Sequence, residues 1–231
     1  MATDGAMIIV AHPDDGEFLA GGTAALRARD GTEVIYVIVT KGDKGSEDPE
    51  LTSDDLAAIR REEQKAAAQS LGVSKVLYLG YEDGVLEPSL ELRRDLARVI
   101  RAHTPKIVVT FDPSPRFIME NYPNHPDHRA TGSAALDAVF PAARDRLTFP
   151  ELLEEGLAPH KVREVWLGAT ADVNHWVDIE PVLKAKIAAL RKHESQLRDF
   201  PLEEAIPEMA KRLAQGSPHT FAESFRRAVL D

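Results

Sequence analysis

Within its first 110 residues the chain alternates four short apolar runs with three longer amphipathic stretches. The runs stand at 7–11 (MIIVA), 33–39 (EVIYVIV), 75–79 (KVLYL) and 106–110 (KIVVT), with a fifth at 163–169 (REVWLGA). Short, near-continuous apolar runs fit strands buried on both faces, the condition of a parallel sheet. Parallel neighbours need crossovers, and these are helical and right-handed with few exceptions. Helical patterns stand where crossovers are required. One covers 17–29 and stops at Asp30-Gly31; one covers 54–71, after Thr52 and Ser53 and before Gly72; one covers 90–102, after Pro88-Ser89. Further helices are expected over 129–143, over 181–196 and from Leu202 onward. The expected fold class is α/β: a single-domain three-layer sandwich spanning 1–231, with a mostly parallel, Rossmann-like sheet and helices on both faces.

Charge and composition narrow the function. The net charge of −10 gives no basic face for phosphates, so no nucleic-acid partner is expected. The first apolar stretch ends after five residues at His12, too short for a leader or a membrane span, and no other run approaches 18 residues. No membrane insertion is expected, and the default compartment is cytoplasmic. The chain has no cysteine, which removes disulfides, thiolate nucleophiles and every sulfur-built metal site.

The chemistry concentrates at two points. His12-Pro13-Asp14-Asp15-Gly16-Glu17 falls where the first strand ends and the first helix begins. Ligands of open α/β sheets bind at that carboxyl edge. Such a cluster can be a polar turn that caps the helix, a Mg²⁺ site built on Asp, or part of a His/Asp transition-metal site. A second cluster, Asn124-His125-Pro126-Asp127-His128-Arg129, repeats the His-Pro-Asp element at the start of another helix. Two histidines three residues apart can give one ligand to a metal and keep one imidazole for proton transfer. The pair of clusters favours the metal reading over a polar loop.

These residues resemble the LmbE-like, or PIG-L, zinc-dependent N-deacetylases. Ala11-His12-Pro13-Asp14-Asp15, followed by Gly21-Gly22-Thr23, is similar to the family's first motif, and His125-Pro126-Asp127-His128 to its second. Outer matches include Thr40-Lys41-Gly42, Arg60-Arg61-Glu62-Glu63, Leu71-Gly72-Val73, Leu79-Gly80-Tyr81, Asp83-Gly84, Val177-Asp178-Ile179, Lys186 and His193-Glu194-Ser195-Gln196. The resemblance implies one Zn²⁺ per chain, with other divalent transition metals as substitutes, held by His12, Asp15 and His128. It implies Asp14 as general base, His125 as the group that stabilises the oxyanion and protonates the leaving amine, Asp127 as the carboxylate that orients an imidazole, and Arg60 as a substrate contact. The implied substrate is an N-acetylglucosamine derivative or glucosaminyl conjugate, hydrolysed to acetate and a free amine by a homo-oligomer. Gly16 departs from the pattern by separating the Asp pair from Glu17, which leaves Glu17 as a brace for the first helix. His193 reads as a packing residue. A metal-dependent phosphoesterase using Asp14 and Asp15, and a non-catalytic sugar-binding relative, are the competing readings.

Overall fold

In the computed structural model, which describes residues 5–118 and 121–230, the apolar runs become strands. β1 (Ala6–Val10), β2 (Val34–Thr40), β3 (Lys75–Tyr81), β4 (Ile107–Phe111) and β7 (Glu164–Gly168) are mutually parallel. β5 (Phe117–Ile118) and β6 (Tyr122–Pro123) form a separate small hairpin. β9 (Ala222–Val229) runs antiparallel between β7 and the edge strand β8 (His175–Asp178), which completes the order β3-β2-β1-β4-β7-β9-β8.

Both faces of the sheet are covered, as unbroken apolar strands require. Along β1, Ala6, Ile8 and Val10 join one core with Ala24 of α1 (Asp15–Arg29), Ala67 of α2 (Ser53–Leu71) and Ala189 of α6 (Leu183–Leu190). The alternate residues Met7 and Ile9 join the other, with Leu92 and Leu96 of α3 (Leu90–His103) and Ala134 of α4 (Pro126–Asp137). The period of two along the strand thus divides one apolar run between two cores. The helix starts follow the sequence. Thr52 and Asp55 form a capping box on α2, Ser89 caps α3, and Gly72 closes α2 in the left-handed conformation.

Three expectations change. The helix expected over 181–196 is broken into a short 3₁₀ turn, α6 and α7 (Glu194–Leu197), with the gap at 191–193. The break turns His193 inward, where it is completely buried. The helix expected over 129–143 starts earlier, at Pro126, and passes at Ala138 into a π-helical turn that contains Pro141. β8 and β9 had no expected counterpart. The small α5 (Glu151–Glu154) and the larger α8 (Leu202–Leu213) complete the fold. Among the described residues, no helix is long and apolar enough to cross a membrane.

Candidate active site

β1 lies between β2 and β4, and the chain's connections leave it in opposite directions on its two sides. The crevice outside the carboxyl ends of β1 and β4 is therefore the topological switch point of the sheet. Both His-Pro-Asp segments open into it: His12 to Asp15 follow β1, and His125 to His128 form the first turn of α4.

The turn after β1 is built tightly. The His12 N–H donates to Asp15 Oδ2 at 2.8 Å, and His12 Nδ1 lies 3.1 Å from the same oxygen. The other Asp15 oxygen lies 3.2 Å from His128 Nε2. Asp15 thus bridges the two histidines. His128 is held flat against Phe111, with ring centroids 4.2 Å apart and planes 6° from parallel. Gly16 has a steric reason, since a Cβ there would sit 2.8 Å from the Tyr36 ring.

Three carboxylates surround His12. Besides Asp15, its Nε2 lies 3.0 Å from Asp83 Oδ1 and 3.3 Å from Asp127 Oδ2. Burial alone would lower the His12 pKa, but Asp15, then Asp127 and Asp83, outweigh it and push it up to about 12. For Asp15, too, burial would raise the pKa, yet His128 and His12 hold it well below the ordinary range. A buried site with this surplus of carboxylate suits a cation. The atoms of His12, His125 and His128, and those of His12, Asp83 and Asp127, cluster closely enough to hold a metal ion. Imidazole with carboxylate and no thiolate is a donor set of catalytic zinc sites.

Asp14 stands apart from that cage. Its backbone lies at φ +92°, a region that costs a non-glycine residue roughly 1–3 kcal/mol. Its N–H donates to Gln64 Oε1 at 3.0 Å, and Arg60 Nη2 donates to Pro13 O at 2.7 Å and to Asp14 Oδ2 at 3.2 Å. Burial, and then the charge of Asp15, raise the Asp14 carboxyl to about 6, against the pull of Arg60. Asp127 is fully buried and accepts the Gly84 N–H at 2.8 Å and the Leu86 N–H at 3.3 Å. His125 caps α4: its Nδ1 accepts the Asp127 N–H at 3.2 Å, which leaves the proton of the neutral ring on Nε2. Its side chain is 41% exposed, and burial followed by the neighbouring His12 and His128 charges lowers its pKa.

The two motifs thus bring His12, Asp14, Asp15, His125, Asp127 and His128 to one edge. Arg60 joins them, but it is only 5% exposed, and Gly42 O is a third protein acceptor for its guanidinium. Arg61 lies away, over the Tyr78 ring. Tyr81 donates its hydroxyl to Asp95 on α3, and Tyr122 is exposed on the hairpin. Asp83 and Gln64 were not singled out for the cage or for Asp14. The Asp83-Gly84 turn after β3 was the available signal for the first, and nothing in the sequence marked the second.

Known proteins resemble this chain in sequence and in fold. Residues 7–139 match the family described as PIG-L: GlcNAc-PI de-N-acetylase. A diacetylchitobiose deacetylase of Thermococcus kodakarensis is 34% identical over 95% of this chain and 81% of its own length. A probable N-acetyl-α-D-glucosaminyl L-malate deacetylase of Bacillus anthracis is 28% identical over 82% of this chain and 80% of its own. The solved N,N'-diacetylchitobiose deacetylase of Pyrococcus horikoshii superposes with a TM-score of 0.90 at 33% identity, covering 98% of this chain and 84% of that one. A family match over more than half of the chain, with a relative 34% identical over nearly all of it, leads to one assignment: the chain belongs to the PIG-L family.

Proposed function

We propose that this protein is a zinc-dependent N-deacetylase that hydrolyses the acetamide of an N-acetylglucosamine derivative to acetate and a free amine. The observation that carries the proposal is the convergence at one sheet edge of two imidazoles and a carboxylate, His12, His128 and Asp15, beside a separate carboxylate, Asp14, that is free of the cage. The names of the relatives support the substrate class, since each acts on an acetylated glucosamine unit.

His12, Asp15 and His128 would hold the ion, three protein ligands being the usual complement of a catalytic zinc. When bound, zinc supplies Lewis acidity, which polarises the amide carbonyl and makes water a better acid. Asp14 takes the proton of the attacking water as the new C–O bond forms. Its pKa of about 6 suits a general base near neutral pH. His125, through Nε2, donates toward the carbonyl oxygen as negative charge develops there. As the C–N bond breaks, Asp14 gives the proton it took from the water to the leaving nitrogen, while His125 keeps its Nε2–H on the oxygen, so a neutral amine departs and both side chains return to their starting states. Asp127, fixed by two backbone donors, holds the His12 and His125 rings in place. Arg60, with its guanidinium turned to the protein, would meet the substrate only at its edge, beside Asp14. We take the whole chain as one working domain. We also propose that the chain forms a homo-oligomer, which sedimentation would test.

The test is acetate release from N,N'-diacetylchitobiose and N-acetylglucosaminyl malate, before and after chelation and after zinc restoration. Activity that disappears with EDTA and returns with zinc is the expected result. Release of phosphate from phosphate esters, with none of acetate, would replace this reading with a phosphoesterase. Sugar binding without turnover would make the chain a non-catalytic relative.

A further inference from the structure

Behind Asp14 runs a buried polar chain that the mechanism above does not use. The Gln64 amide that accepts the Asp14 N–H at 3.0 Å turns its Nε2 to Glu17 Oε1 at 2.9 Å. The second Glu17 oxygen lies 3.3 Å from His193 Nε2. Gln64, Glu17 and His193 are all 0% exposed. His193 is itself anchored from outside. Ser195 donates its N–H and its hydroxyl to the two Glu63 oxygens, each at 2.7 Å, and Gln196 Nε2 donates to Gly45 O at 3.1 Å. Three segments that carry no reacting group, around Glu17, Arg60 to Gln64 and His193 to Gln196, therefore meet in one brace.

Packing alone does not explain it. A buried carboxylate loses its hydration, and an apolar cluster of equal volume makes a core at least as stable. What apolar side chains cannot do is present an acceptor to a backbone N–H. The acceptor here is delivered to the one residue of the site held at positive φ without being glycine. We propose that Gln64, held by Glu17, is a positioning residue that fixes the Asp14 backbone and thereby aims its carboxylate. The proposal rests on Asp14 being the general base.

The order of the chain gives it a distinctive test. Gln64→Met keeps the volume and removes both hydrogen bonds. Gln64→Glu keeps an acceptor for Asp14 but sets a carboxylate against Glu17. Combining Gln64→Glu with Glu17→Gln restores donor and acceptor in reversed order. With zinc-loaded protein and N,N'-diacetylchitobiose, Gln64→Met and Gln64→Glu are expected to lower kcat about tenfold to a hundredfold, the scale of a small misplacement. KM and zinc content stay near native. Amide hydrogen exchange at Asp14 accelerates, while exchange along β1 does not. The double variant recovers kcat to within roughly threefold of native, a non-additivity expected only of directly coupled groups. Native kcat in Gln64→Met overturns the proposal, as does a double variant no better than Gln64→Glu. If Gln64→Met does not fold, the double variant decides. Asp14→Asn, measured alongside, separates the two levels: native turnover there overturns the base assignment, whereas an inactive Asp14→Asn beside a fully active Gln64→Met overturns the brace alone.

Discussion

Helix α1 is flanked by two buried carboxylates, and they are treated differently. Glu17 lies in its first half. Glu223, from β9, meets its second half, beyond the break where Ala20 leaves helical geometry at φ −148°. Glu223 receives four hydrogen bonds. Oε1 accepts from the Gly22 N–H at 2.8 Å and from Lys186 Nζ at 2.6 Å, and Oε2 from the Thr23 N–H at 2.7 Å and the Thr23 hydroxyl at 2.6 Å. Lys186 also donates to Phe18 O, just before the break, at 2.8 Å. Both freed ends of the helix are thus satisfied, and Gly22 fits because a Cβ there would lie 2.5 Å from Ile179. Glu17 has one aligned donor, Gln64, and its second oxygen has only the nearby His193 ring without a formed hydrogen bond. A saturated buried carboxylate is what a fold needs to mend a helix. A half-satisfied one, joined to the backbone of Asp14, marks a place where position was kept ahead of stability.

The sharpest challenge to this contrast is Glu223→Ala. It leaves Lys186 buried without its carboxylate and should cost about 3–5 kcal/mol of stability by denaturant titration. The kcat of the protein that remains folded should stay native. A large loss of kcat at native stability would erase the distinction. Glu17→Leu should be milder, roughly 1–3 kcal/mol for the donors left unpaired, yet should depress turnover. Equal destabilisation by both variants, with turnover intact, would make Glu17 a second structural carboxylate. The smallest effect belongs to Glu164, at the start of β7 and away from the crevice. Arg227 hydrogen bonds, against the effect of burial, hold Glu164 at about 2 rather than 4.5. A carboxyl depressed in the folded state stabilises above its unfolded pKa, and that contribution is lost as pH falls through the folded value. The stability gap between native protein and Glu164→Gln should therefore be full at neutral pH, no more than about 1 kcal/mol, and close between about pH 4.5 and 2. A gap unchanged at pH 2 would count against the pairing.

The same contrast explains what could be read in advance. β1, β2, β4 and β7 are legible because their apolar residues face two cores at once. β9 is not, since its sequence AESFRRAV puts Glu223 inward on polar partners and leaves Arg226 and Arg227 exposed, which breaks the apolar run. The six residues of the two His-Pro-Asp motifs are legible because each set is local and sits at a strand end or helix start. Gln64, Asp83 and His193 come from separate segments that only the fold brings to the same crevice. For His193 the helical pattern over 181–196 concealed the break that turns it inward.

The central proposal is that cage and base are separate: His12, Asp15 and His128 would hold the metal, and the neighbouring Asp14 would move the proton. Bound zinc and acetate release measured on the same preparation of Asp14→Asn test it most directly. The account predicts about one zinc per chain and turnover reduced by roughly 10²–10⁴, the range for loss of a general base. Native turnover, or loss of the zinc itself, would contradict it.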